Sequence, residues 1–378
     1  MLRLGLLTHN FPSHPEKTAD AGGFVASLAT MLQGSQYDVT VFCQSIGISN
    51  KAPIGIKLYQ FPWSGEGYKL GHLRWTRWGD LRILTDFIRN GRKGVLRFIR
   101  DHGIEYCLAL WAVPGGYFAH YAKRELGIPY TVWALGSDIN QYYRFGLRRV
   151  IRQVLLEADH ICADGPELAR KVNKVVGDHR CIFLPSSRPL LYGQGQARTG
   201  RAGTHFLFVG RLEKVKGIDL LLRAFSELVK NETRATLEII GTGSLKSEVA
   251  DFVRRQHLEH RIMLRDSIPT DQLRQAYQGS DCLVIPSRSE SLPLVFSEAM
   301  QYRLPVIATD VGDLRHFVEQ YQAGVIVSPE SMDDLQRGME SFLNSQIHWS
   351  EQKMQDAAKD LSLERSIAQL RTMIGVTK

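Results

Sequence analysis

Short apolar runs alternate with amphipathic stretches along this chain, and the alternation runs through once, breaks, and then starts again. Apolar runs of four to eight residues bounded by Gly, Pro or polar turns suit strands buried on both faces of a parallel sheet. The first pass predicts strands at 2–8, 38–44, 57–61, 106–110, 130–135, 160–163 and 180–184, with helices at 24–33, 117–126, 148–157 and 166–176. The break is 186–203, which holds Pro189, four glycines and no periodicity. The second pass predicts strands at 205–209, 235–240, 261–264, 282–285, 305–308 and 324–327, again with helices between them. Alternation of this kind specifies a doubly wound parallel sheet, so the expected class is α/β with two Rossmann-like domains facing a central cleft. The expected boundaries are 1–190 for the first domain, 191–203 for a linker, 204–360 for the second, and 361–378 for a terminal helix packing on the first.

At 378 residues the chain is long enough for two such cores. No uninterrupted apolar run reaches the roughly 18 residues a spanning helix needs. Five scattered cysteines, an odd number without paired spacing, predict buried thiols in a reducing compartment rather than disulfides or zinc. The expected location is therefore cytoplasmic. The net charge of +8 is uneven: residues 1–190 hold 24 Lys/Arg against 15 Asp/Glu, and the rest hold 23 against 24. The excess peaks between Lys69 and Arg100, where basic residues mix with Trp75, Trp78, Leu81, Leu84 and Phe87. That mixture suits a helix lying on an anionic membrane surface, or a solvated helix whose apolar face packs on its own domain. No nucleic-acid recognition module is visible.

The chemistry concentrates in 281–300, DCLVIPSRSESLPLVFSEAM. A strand at 282–285 leads into a polar loop and then a helix, with Pro293 expected at the first helical position. A helix start offers unpaired N–H groups and favours an anion such as phosphate. Glu290 and Glu298 cannot hold phosphate, but they accept hydrogen bonds from hydroxyls, as on a sugar. Three other features fall at predicted strand ends: Gly210-Arg211 with Lys216, the turn Gly241-Thr242-Gly243, and the loop after Leu264. Open α/β sheets bind ligands at those ends, and two cations beside a helix start would neutralise a departing diphosphate. In the first half, Gly22-Gly23 precedes a helix, which suits a weak phosphate-cradle signal. His9 and His14 fit loop residues, and His72 and His120 fit structural roles.

The segments FVGRLEKVKGIDLLLRAF (206–225), EIIGTGSLK (238–246) and PSRSESLPLVFSEAM (286–300) resemble the donor-binding motifs of the family 4, or group 1, retaining glycosyltransferases of GT-B fold. Gly22-Gly23 and Gly136-Ser137-Asp138 fit that family's first domain. The resemblance implies that Glu290 meets the hydroxyls of the transferred sugar, on the face where positive charge develops. It implies that Arg211 and Lys216 grip the diphosphate, and that the N–H groups of Ser291 and Leu292 add to that grip. Glu298 would take the donor ribose, Gly210, Gly241 and Pro293 would shape the donor loops, and Gly23 would approach the phosphates. Gly22, Leu135, Ser137 and Asp138 are the candidates for the sugar and acceptor pocket. The chain departs from the family in three places. Leu135 stands where many members have histidine, Ser291 replaces a common glycine, and Ser186-Ser187 replaces a frequent asparagine.

The function this implies is transfer of a sugar from a UDP- or GDP-linked donor to a hydroxyl of a lipid-linked, polysaccharide or other glycan acceptor. The donor is a substrate, so no cofactor is expected, and no metal, since no Asp-x-Asp pair occurs. Without an evident enzymatic nucleophile, front-face attack is the expected route, with the departing phosphate taking the acceptor proton. Two alternatives stand: a nucleotide-sugar epimerase on the same fold, and a non-catalytic sugar-nucleotide-binding subunit. No Gly-x-Ser-x-Gly elbow supports hydrolysis by a serine triad.

Overall fold

The computed structural model describes residues 1–12, 21–34, 36–45, 55–66, 70, 73, 77–190, 203–231 and 234–375. His14 and His72 lie outside the described residues, as do Lys69, Trp75 and most of the expected linker. Among the described residues one compact unit comprises 1–12, 21–184 and 366–375, and a second comprises 185–365.

In the first unit the chain runs β1 (Leu2–Leu7), α1 (Ala21–Leu32), β2 (Tyr37–Gln44), β3 (Lys57–Phe61), α2 (Trp78–His102), β4 (Tyr106–Leu110), α3 (Tyr117–Leu126), β5 (Tyr130–Ala134), α4 (Arg148–Leu156), β6 (His160–Ala163), α5 (Pro166–Val176) and β7 (Cys181–Phe183). Its seven strands are parallel in the order β3-β2-β1-β4-β5-β6-β7. Strands such as β4 and β5 are buried along their whole length, which is why they read as unbroken apolar runs. The 25-residue α2 buries Phe87, Val95, Phe98 and Ile99, and Gly103 in the left-handed region ends it by donating to the Ile99 carbonyl. Phe42 lies 5.1 Å from Phe61 and 5.2 Å from Phe98, ring centre to ring centre. Burial of each such ring stabilises the unit by about 2–3 kcal/mol.

The second unit runs β8 (His205–Val209), α6 (Ile218–Leu228), β9 (Thr236–Ile240), α7 (Lys246–Arg255), β10 (Ile262–Arg265), α8 (Thr270–Gly279), β11 (Cys282–Ile285), α9 (Leu294–Gln301), β12 (Val306–Thr309), α10 (Leu314–Gln320), β13 (Gly324–Val327), α11 (Met332–Leu343) and α12 (Glu351–Asp360), followed by α13 (Leu363–Ile374). The six strands are parallel in the order β10-β9-β8-β11-β12-β13. In each sheet the chain winds outward one way, then returns to the other side of the first strand. The switch points are therefore β1/β4 and β8/β11, where a doubly wound sheet opens a crevice at the strands' carboxyl ends.

Four differences from the sequence reading have local causes. Residues 185–190 pack in the second unit, because Gln301 of α9 donates to the Arg188 carbonyl and accepts the Leu190 N–H, both at 2.9 Å. Helix α1 starts at Ala21, so Gly22 and Gly23 belong to its first turn rather than to a loop before it. Residues 111–116, between the expected strand at 106–110 and helix at 117–126, are irregular: Trp111 has φ +64° and Val113 is extended. Residues 138–147, to which the sequence reading assigns no element, form a wide helical segment running into α4. All five cysteines are buried free thiols, as their scatter suggests.

Candidate functional site

The loops that follow β8 and β11 flank the switch point of the second sheet, and both carry charge. After β8, residues 214–216 make one tight helical turn, and Gly217 at φ +69° starts α6. A Cβ on Gly217 would come within 1.9 Å of the Pro286 carbonyl oxygen, so only glycine lets the β8 loop lie against the β11 loop. That approach brings Lys216 Nζ to 2.6 Å from Glu290 Oε1. Ser287 Oγ donates to the same oxygen at 2.6 Å, and Thr309 Oγ1, at the end of β12, donates to the Ser287 carbonyl at 2.6 Å. The pair is only partly open to solvent, with side chains 22% and 10% exposed. Gly312, at φ +58°, packs under the Glu290–Ser291 backbone, where a Cβ would fall 2.4 Å from the Ser291 oxygen. The Asp313 N–H donates to that same oxygen at 3.1 Å.

The β8 and β9 loops continue the sheet's ladder past its strands. Gly210 N–H donates to the Ile240 carbonyl, Gly241 N–H to Arg265, and Leu212 N–H to Thr242, each at 3.0 Å. Glu213 holds the β9 turn by accepting from Ser244 N–H and Oγ at 3.0 and 2.6 Å. The side chain of Arg211 is exposed beside this ladder.

Ser291 and Leu292 stand in the turn ahead of α9, as expected. Pro293 differs: its ψ of 137° is extended, so it caps α9 from outside and Leu294 is the first helical residue. Glu298 is fully buried, accepting from Arg188 Nη2 at 2.6 Å and from Tyr277 Oη at 2.7 Å. Burial, then the Glu298 charge, pushes the Tyr277 phenol well above its ordinary range. Tyr277 in turn stacks on Tyr302, ring centres 5.6 Å apart. The chain thus surrounds Glu298, the expected ribose acceptor, with donors of its own.

Residues 201–361 match the family described as glycosyl transferases, group 1. A Bacillus subtilis (strain 168) protein named as the teichuronic acid biosynthesis glycosyltransferase TuaC is 28% identical over 289 residues, covering 73% of this chain and 69% of the relative. The chain also superposes over its full length on two solved structures, each likewise covered in full. One is a sucrose-phosphate synthase from Thermosynechococcus elongatus (TM-score 0.81, 17% identity), the other Anabaena HepE in complex with UDP-glucose (TM-score 0.74, 14% identity). Over residues 201–361 the chain belongs to the group 1 glycosyltransferases. It is an enzyme of GT-B fold, built from the two α/β units described above.

In the first unit of this glycosyltransferase the switch point lies between the loops after β1 and β4. His9 and Trp111 meet there edge to face, ring centres 4.5 Å apart, and the His9 carbonyl accepts from Gln44 Nε2 at 2.8 Å. Burial lowers the His9 imidazole to about 4. Asp138, after β5, is fully buried and accepts three backbone N–H groups: Ala112 at 2.7 Å, Gly136 at 3.0 Å and Ile139 at 3.1 Å. By collecting these N–H groups Asp138 ties the loops after β4 and β5 together. Burial raises its carboxyl to about 6, against the pull of those N–H groups. Leu135 and Ser137 are half-buried beside it. His120 is structural, held at 2.9 Å by Glu157.

Three residues with defined roles in the second unit were not singled out in the sequence: Arg188 and Tyr277, which lie outside the motifs, and Arg288, which lies inside the 286–300 segment. Each acts on a group 21 to 110 positions away, so no local spacing could have revealed it. Among the described residues no three His, Cys, Asp or Glu side chains gather as a metal site. No helix among them is long and apolar enough to cross a membrane.

Proposed function

We propose that this glycosyltransferase moves a sugar from a UDP- or GDP-linked donor to a hydroxyl of a lipid-linked, polysaccharide or other glycan acceptor, with retention and without a metal. The observation that carries the reading is the Lys216–Glu290 pair at the β8/β11 switch point, ahead of the α9 N-terminus. A cation for phosphate and a carboxylate for sugar hydroxyls are the two halves a nucleoside diphosphate-sugar needs. Lys216, with Arg211 and the N–H groups of Ser291 and Leu292, neutralises the leaving diphosphate. Glu290 accepts hydroxyls of the transferred sugar and faces the developing oxocarbenium charge. Glu298 accepts a ribose hydroxyl through the lone pairs that Arg188 and Tyr277 leave unused on its two oxygens. In the transfer, the bond from anomeric carbon to phosphate oxygen breaks and its electrons stay on that oxygen. The acceptor oxygen bonds to the same face of the carbon, and its proton passes to the departing phosphate. The UDP-glucose complex of HepE and the name of TuaC support the donor and acceptor classes.

A panel of UDP-, GDP- and ADP-sugars with glycan and lipid-linked acceptors tests this, with the product anomer read by NMR and a chelator arm included. Turnover unaffected by chelator, giving the donor's anomer, is expected. Release of an epimerised sugar, or tight donor binding with no turnover on any acceptor, would break the reading.

Peripheral contact with an anionic membrane rests on α2. Its apolar face packs inside the first unit, while Arg82, Arg89, Arg92, Lys93, Arg97 and Arg100 are exposed and Trp78 is 84% exposed. Contact there is electrostatic, at about 1 kcal/mol per basic residue near the surface. Replacing Arg89, Arg92 and Lys93 by Glu should abolish flotation with anionic liposomes; unchanged flotation counts against the contact.

A further inference from the structure

The Lys216–Glu290 pair joins two loops whose spacing has to be set by something other than the pair itself. The residue placed to do so is Arg288, two positions before Glu290. Its backbone N–H donates to the Val215 carbonyl at 2.8 Å. Its Nη1 and Nη2 donate to the two oxygens of Asp219, at 2.6 and 2.9 Å, and Nη1 also reaches the Lys214 carbonyl. Its Nε donates to Glu330 Oε1 at 2.7 Å, in the turn beyond β13. One residue thus ties together the loops after β8, β11 and β13, and its contacts with Lys214 and Val215 in the β8 loop and with Asp219 in the first turn of α6 bracket Lys216 on both sides.

Four of the five guanidinium N–H groups have protein acceptors in this arrangement, so the group's hydrogen bonds go to the scaffold rather than to a ligand. The side chain is 15% exposed, and its two-pronged grip on Asp219 is a geometry a lysine ammonium cannot reproduce.

We infer that Arg288 is a positioning residue for donor binding, holding the Lys216 turn against the Glu290 loop so that the ammonium meets the diphosphate. The inference rests on the donor reading above. Loops held about an ångström out of place lose one to two orders of magnitude in the function they support.

Calorimetric titration of the full chain with UDP, GDP and ADP tests it, in wild type, Arg288→Lys, Arg288→Ala, Lys216→Ala and the double variant Lys216→Ala/Arg288→Ala. Arg288→Ala should weaken binding of the preferred nucleotide about tenfold or more, with Arg288→Lys recovering little. In the double variant the loss should fall well short of the product of the two single losses, because both act through Lys216. Should Arg288→Ala not fold, Asp219→Asn removes one half of the grip and should show the same partial loss. Binding by either variant within twofold of wild type overturns the inference and leaves the donor reading standing. So do losses that multiply in the double variant. A wild-type chain that binds none of the three nucleotides overturns the donor reading, and the inference with it.

Discussion

Both sheets of this enzyme open at the same topological point, yet the two openings are built from different chemistry. Between β1 and β4 the loops meet through an aromatic edge, His9 on Trp111, and are organised by one buried carboxylate that collects backbone N–H groups. Between β8 and β11 they meet through an ion pair, Lys216 with Glu290, itself braced by further charged side chains. The first arrangement fixes backbone; the second supplies fixed charge of both signs. A fold sets where a ligand can go, while the side chains at each opening decide which chemistry happens there.

The largest expected effect follows from that division. Glu290→Ala and Lys216→Ala should each lower transfer by about a thousandfold or more, while the fold stays intact. Steady-state kinetics beside circular dichroism checks this, and wild-type turnover in either variant would place the chemistry elsewhere.

Next in size is the buried pair of Arg188 and Glu298, whose side chains are 5% and 0% exposed. Removing one partner strands the other's charge, so Arg188→Met alone should cost about 3–5 kcal/mol of stability. Arg188→Met combined with Glu298→Gln should recover much of that loss. Urea denaturation reads both, and equal losses in the single and double variants would show that the charge is not the cause.

The smallest effect separates the two groups at the first opening by pH. Asp138 has its folded pKa raised from 3.8 to about 6, so its contribution is full below 3.8 and is lost as pH rises through about 6. At roughly 1.4 kcal/mol per unit, that is on the order of 3 kcal/mol across the window. His9 has its folded pKa lowered from 6.5 to about 4, so its contribution is present above 6.5 and is lost as pH falls to about 4. The two oppose each other between pH 4 and 6. Asp138→Asn should therefore make the chain more acid-labile than wild type, and His9→Phe should make it less so. Denaturation midpoints at pH 7, 6, 5 and 4 decide the matter; identical pH profiles for all three chains would refute the assignment.

Most strands were legible because a parallel strand buried on both faces leaves an unbroken apolar run, as in 106–110 and 282–285. Glu290 and Lys216 were legible through their motif and do meet. What the sequence hid depends on long-range packing. Arg188 sits in a Pro/Ser stretch that reads as linker, yet it enters the second unit to reach a glutamate 110 residues on. The Arg288–Asp219 grip spans 69 residues. Pro293 missed its expected place by one position because an extended ψ suits the residue before a helix as well as φ suits the first one inside it.

The buried cysteines turn each unit into its own reporter. Burial pushes the thiols of Cys43, Cys107 and Cys181 up to about 12, so in the folded chain they are nearly inert to alkylating reagents. Labelling must wait for the surrounding structure to open. Four of the five belong to the first unit, and Cys282 alone belongs to the second, in the strand that carries the chain to Glu290. The rate at which Cys282 is modified thus measures how often that strand comes loose, and a nucleotide that binds at its end should slow the modification without changing the rates at the other four.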